Sequence, residues 1–247
     1  MTLSETQKTK LILLFLLLIS SLFILGCSSH GKEDEEDVRY EFCPGKYFTS
    51  ASEARNMLYY AVNQSSVSGG VKDPNGQTIN GSGFQGPVNV ADDNGGIWVA
   101  DGYYDITNNT YGNGIYTLYF SIKSGNYETK REMNWDGFPT WNSTPSIDTS
   151  SANTQRIIGA NSARIITGEN TDGYTIKYRI KVYVAGLTTS KLFGQSKAVD
   201  GSQPLTYTLP RVSSSIKLVP VLVCEMYKNE KIQKILFYPD SAFTYNP

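Results

Sequence analysis

Apolar positions change their spacing several times along the chain. Leu11–Leu25 is an uncharged block broken only by Ser20 and Ser21, with Lys8 and Lys10 ahead of it and the polar run Ser28-Ser29-His30-Gly31 behind. It falls short of the roughly 20 apolar residues that a spanning helix needs. After the aromatic stretch Tyr40–Phe48, Ala54, Met57, Leu58, Ala61 and Val62 recur at spacings of three and four. Ser50-Ala51-Ser52-Glu53 precedes them in the form of a capping box, so the pattern predicts an amphipathic helix over about 51–64. Beyond it the period becomes two. Segments 97–106 and 115–123 read as strands, and in the second Tyr116, Leu118, Phe120 and Ile122 share a face opposite Thr117, Ser121 and Lys123. The clearest alternation is 174–185. Tyr174, Ile176, Tyr178, Ile180, Val182 and Val184 point one way, and Thr175, Lys177, Arg179 and Lys181 the other.

Further strands are predicted at 205–209, 215–226 and 231–238, with Lys228-Asn229-Glu230 as a hairpin turn. Pro220 cannot donate to a ladder, which places its strand at a sheet edge or on a bulge. Many short strands separated by turn signals predict a mainly β protein, a sandwich or barrel. The expected form is an antiparallel β-sandwich with one N-terminal amphipathic helix, and a division near 139–153 would make it two lobes.

Composition sharpens this picture. Lys plus Arg number 22 against 23 Asp plus Glu, and the acids cluster at Glu33–Asp37. No long basic run exists, which argues against nucleic acid as a partner. The 17 tyrosines, and Gly and Asn clustered between apolar runs, suit a β-rich extracellular domain. His30, the only histidine, falls in the acidic segment, so the domain after it has none for a Ser-His or Cys-His nucleophile or for zinc. No G-x-S-x-G elbow or glycine-rich phosphate loop is found. Ser214 and Lys217 match an S-x-x-K string, but on a strand that spacing puts them on opposite faces. Neither an enzyme nor a bound cofactor is expected.

The order of positive flank, short apolar core and Gly26-Cys27 resembles the signal peptide and lipobox of bacterial lipoproteins. The resemblance implies a signal peptide over 1–26, cleavage before Cys27, and acyl chains on Cys27 that hold the protein to a membrane. The expected location is the cell envelope, at the outer membrane or cell surface rather than the inner membrane. Residues 27–38 then form an acidic tether with too little apolar surface to fold. An acidic run in that place also resembles surface-export signals, but reads more simply as a solvated spacer. The globular domain is expected over 39–247.

Two constellations stand out. In the stretch 126–142, Tyr127, Trp135, Phe138 and Trp141 sit among Asn134, Asp136 and Asn142. Rings that stack on sugar faces beside amides and carboxylates would make a glycan site, whereas the same rings could simply close the end of a sandwich. Glu128, Glu132 and Asp136 could supply a glycosidase pair only at a carboxyl separation of about 5 to 9 Å. The second is Asp92-Asp93-Asn94-Gly95 with Asp101 and Asp105, which offers oxygen ligands for calcium but reads more simply as turn chemistry; no metal is expected. Cys43 and Cys224 are the thiols left once Cys27 is acylated. An oxidising compartment permits a disulfide between them if their Cα atoms lie within about 7 Å, and two unpaired buried thiols are the alternative. The functional expectation is a non-catalytic binding module that contacts glycan or another envelope protein. The alternatives are a structural or adhesin-like subunit using exposed strand edges and, less favoured, a carboxylate-only hydrolase.

Overall fold

A computed structural model describes residues 38–247 apart from 51–52, 65–67, 81–89, 92–96, 99, 107–110, 123–124, 142, 161–165, 168–170, 172, 186–190 and 202. The expected signal peptide with Cys27, the expected tether with His30 and the expected 92–95 turn lie outside the described residues. The protein is mainly β. Its strands are β1 (Tyr40–Phe48), β2 (Ala54–Val62), β3 (Ser68–Lys72), β4 (Val90–Ala91), β5 (Ile97–Trp98), β6 (Ala100–Asp105), β7 (Gly114–Ile122), β8 (Gly125–Met133), β9 (Thr140–Trp141) and β10 (Ile147–Asp148). A single helical turn, Ala152–Gln155, precedes β11 (Ile157–Ala160). Then come β12 (Ile166–Thr167), β13 (Thr175–Val184), β14 (Lys191–Gln195), β15 (Val199–Asp200), β16 (Thr206–Thr208), β17 (Ile216–Lys228), β18 (Lys231–Pro239) and β19 (Phe243–Tyr245).

The main sheet has the order β14-β13-β17-β18-β1-β2-β6, with β15 also on β13 and β19 on β17. Its neighbours are antiparallel except β1, which runs parallel to β18 with Gly45 opposite Ile235 and Tyr47 opposite Phe237. The outer strands β14 and β6 return to within 8 Å of each other between Cα atoms. One sheet therefore curls into a nearly closed, barrel-like wall, where two facing sheets were expected. Twist accumulated over consecutive strands is what brings the edges of such a sheet together. Smaller sheets, β3-β7-β8 and β10-β11-β16, accompany it.

Side chains divide by parity between two cores. On the barrel side, Met57, Tyr59, Val223, Ile235 and Phe237 pack together. On the opposite face, Tyr178, Ile180, Val182, Leu222 and Leu236 meet Trp141, Ile158, Leu205 and Tyr245. The alternation of β13 is thus kept.

The helix expected over 51–64 is not formed; Ala54–Val62 is strand β2. Every residue from Met57 to Val62 is buried, whereas a surface helix would bury only a stripe. Tyr59 turns into the barrel, and Tyr60 stacks on Tyr104 of β6 at 5.4 Å. The Ser50 hydroxyl does accept the Glu53 amide at 3.0 Å, as a capping box would have it. The Thr49 and Ser50 amides, however, donate to the Glu53 carbonyl, so these residues close the β1–β2 hairpin. Ser/Thr hydroxyls bind nearby backbone in turns as readily as at helix ends.

The edge alternative for the Pro220 strand is corrected, because β17 is central, flanked by β13 and β18. The strand does carry a ladder irregularity, at Met226/Tyr227 and not at Pro220. Pro220 stands where the ladder on one side passes from β18, ending at Val221 opposite Pro239, to β19, starting at Leu218 opposite Phe243. A missing amide leaves no gap at that change of partner. The turn at 228–230 forms as expected, with Asn229 and Glu230 at φ 53° and 62°, the left-handed pair a two-residue hairpin needs.

Candidate functional site

The polar side of β13, which an alternating strand would ordinarily turn to water, faces the inside of the barrel. Arg179 is held by Glu225 of β17, with Nε 2.6 Å from Oε1 and Nη2 2.8 Å from Oε2. The Tyr227 hydroxyl donates to the same Oε2 at 2.7 Å, so both oxygens of Glu225 are engaged. Deeper in, Lys181 meets Asp101 of β6 at 2.5 Å, with side chains only 1 % and 0 % exposed. The hydroxyls of Tyr59 and Tyr183 donate to the same carboxylate at 2.7 and 3.1 Å. Burial, and after it the Asp101 charge, holds both phenols well above the usual tyrosine range, so they remain donors. The Lys181 ammonium also lies 4.5 Å from the centre of the Tyr59 ring. These bonds join β13 to β2 and β6 across the barrel.

Above this layer, toward the β17–β18 turn and the start of β13, the barrel interior opens into a cavity of about 670 Å³. That is the size range of small-molecule sites. Its wall includes Glu41 of β1, Lys177 and Arg179 of β13, Glu225 and Tyr227 of β17, and Trp98 of β5. Glu41 differs from the other acids here. Burial, with the Glu225 charge next, raises its carboxyl to about 7, while Arg131, the Ile232 amide and Lys181 pull it partly back. Lys177 places its ammonium over the Tyr227 ring at 5.4 Å. It makes no ion pair among the described residues, although Asp200 of β15 stands opposite it in register.

The aromatic residues singled out in 126–142 do not assemble into one exposed platform. Tyr127 lies on β8 and stacks on Phe120 at 5.2 Å. Trp135 is 4 % exposed, packs edge-on against Tyr116, and donates from Nε1 to the Met57 carbonyl at 2.8 Å. Trp141 is equally buried, against Phe48 and Tyr238 in the outer core. Phe138 is half-buried beneath the ammonium groups of Lys46 and Lys234, and Asp136 accepts from Asn113 at 2.8 Å. Glu128, one of the acids considered for a glycosidase pair, is bound to Lys72 at 2.9 Å. The tryptophans serve as packing, which corrects the glycan-platform expectation.

The disulfide is corrected as well: Cys43 and Cys224 are both free and buried. Cys43 belongs to the barrel-side core and Cys224 to the opposite one, with β18 between their strands. Burial pushes both thiols above their ordinary range, so they are inert apolar side chains. Asp101 and Asp105, grouped above with the 92–95 turn, part company: Asp101 is enclosed by Lys181, and Asp105 is paired with Arg55 at 3.3 Å on the surface. Among the described residues no three acidic, His or Cys side chains are grouped as metal ligands.

Sequence reading missed the cavity because alternation gives parity without saying which side is water. A signal was nonetheless present. Glu225 interrupts the apolar run Leu218–Met226, and Lys181 sits between Ile180 and Val182 in a strand of high β propensity. Charges inside such runs mark a second buried face. No protein-family model matches the chain, and no curated protein matches it either.

Proposed function

We propose that this is a lipid-anchored protein of the bacterial cell envelope whose barrel binds a small hydrophilic ligand without chemically altering it. One observation carries the reading: charged and hydroxyl-bearing side chains of four strands turn inward around a cavity at the barrel mouth. Burying two ion pairs is a poor way to stabilise a fold, since well-packed apolar residues of the same volume do as well or better. Such groups are explained if a polar ligand uses them. The membrane link in this reading is a lipid on Cys27, joined to the barrel through the acidic stretch 27–38. Carboxylate-only hydrolysis is the weaker reading. Glu41 could serve as its acid, but the neighbouring Glu225 is engaged on both oxygens by Arg179 and Tyr227.

The test uses the lipidated protein in detergent and a panel of sugars, amino acids, short peptides and nucleotides, read by thermal shift. At least one class should raise the melting temperature. The effect should disappear in Thr175→Trp, which narrows the mouth, and survive in Phe138→Ala. Binding lost in Phe138→Ala and kept in Thr175→Trp would move the site outside the barrel. The anchor is tested separately: Cys27→Ser should leave an uncut precursor without palmitate label, and label retained on that variant would overturn it.

A further inference from the structure

We infer that the cavity is built for a zwitterion of short-peptide size, its amine held by Glu41 and its carboxylate by Lys177. This rests on the reading of the cavity as the binding site and goes on to name its ligand class.

The inference follows from which charges the protein has already neutralised. Arg179 and Glu225 neutralise each other through two short contacts, and Tyr227 completes the second Glu225 oxygen. Lys181 and Asp101 do the same deeper in, with Tyr59 and Tyr183 closing the carboxylate. These four groups fix the wall and have little left to offer a ligand. Of the other charged lining residues, two of opposite sign are partly buried, Glu41 and Lys177. Glu41 has no cation within ion-pair distance among the described residues. The nearest guanidinium, Arg131 on β8, is committed to the Phe42 carbonyl and to Gln233. Lys177 lies over the Tyr227 ring, with exposed Asp200 opposite it on β15 and Glu225, already held by Arg179 and Tyr227, opposite it on β17. Lys228 and Glu230 also line the mouth, but both are exposed to water.

Placement sets the ligand's length. Glu41 is on β1 and Lys177 on β13, three strand spacings apart in the main sheet. The ladder sets Lys177 level with Glu225, Ile235 and Gly45, four residues along β1 from Glu41, so the two lie about 20 Å apart along the wall. Curvature brings the two walls to face each other, and each side chain reaches inward from its own. The remaining gap suits the ends of a di- or tripeptide better than the adjoining charges of one amino acid. Groups that face Glu41 from the surrounding elements are Glu225 on β17, Arg131 on β8, Lys181 on β13 and the Ile232 amide on β18. An amine arriving beside Glu41 adds the missing cation, so near pH 7 binding should expel the proton that burial retains there.

Isothermal titration of the full lipidated chain with trialanine, in two buffers of different ionisation enthalpy at pH 7, tests this. Trialanine should bind with release of a fraction of a proton. N-acetyl-trialanine and trialanine amide should each bind at least tenfold more weakly. In Glu41→Gln the proton release and the penalty for acetylation should vanish together, while in Lys177→Met only the penalty for amidation should vanish. The conservative Lys177→Arg should keep it. Capped peptides binding as tightly as trialanine, or a neutral sugar bound where trialanine is not, would overturn the zwitterion assignment and leave the cavity as the site. No binding in either this titration or the wider panel would overturn both.

Discussion

The two faces of β13 carry side chains of opposite character into surroundings that are equally dry at the strand's middle. On one, Tyr178, Ile180 and Val182 pack into the outer core. On the other, Arg179 and Lys181 are 5 % and 1 % exposed. The apolar face needs only shape and volume, so its energy is spread over many small contacts. The charged face concentrates its energy in a few groups that must all be present, because each charge is tolerable only beside its partner. The outer face should therefore yield gradually to substitution and the inner face abruptly.

The largest expected effect is on the inner face. Asp101→Ala strands the Lys181 ammonium in the barrel and removes the acceptor for two phenols, and should lower stability by about 4 kcal/mol in urea denaturation. Little change there would mean that water reaches Lys181 freely. Next comes the outer face. Leu222→Ala, fully buried against Ile180 and Leu236, should cost about 3 kcal/mol through lost burial and the cavity left behind. Glu41→Gln comes third and depends on pH. The folded protein holds the Glu41 proton up to about pH 7, against 4.5 for an ordinary carboxyl, so folding takes up a proton between those values. The destabilisation is absent below about pH 4.5, grows as pH rises and is complete above about 7. The amide should stabilise the protein by ~2 kcal/mol at pH 8 and have no effect at pH 4; equal effects at both pH values would refute the assignment. The smallest effect sharpens the comparison most. Asp101→Leu with Lys181→Met, which removes the whole pair, should fall within about 1 kcal/mol of the parent although Asp101→Ala alone does not.

Much of the strand framework was legible because period two leaves a direct trace. The faces of β7 and β13 and the 228–230 turn follow from Tyr116, Leu118 and Phe120, from Tyr178, Ile180 and Val182, and from Asn229. What was not legible depended on distant partners. Ala54–Val62 satisfies a helical spacing and a two-faced buried strand equally well, and only β1 and β6 on either side decide between them. Trp135 and Trp141 read as a possible platform because aromatic residues near Asn and Asp look alike whether or not Met57 and Tyr238 lie over them. The cavity required knowing that a single sheet closes on itself, a property of twist summed over seven strands and of no single segment.

The parallel seam between β1 and β18 has a consequence in time. Gly45 and Ile235 meet in register across nearly the whole domain. A chain emerging N-terminus first exposes the β1–β2 hairpin long before its other neighbour exists. Until β18 arrives, one edge of β1 is an open template that any extended segment could extend. Long-range pairing of this kind slows folding, so the interval between the appearance of the β1–β2 hairpin and barrel closure is the period in which the protein most needs a chaperone. Slowed synthesis of the last quarter of the chain should lengthen that interval and leave the finished barrel unchanged.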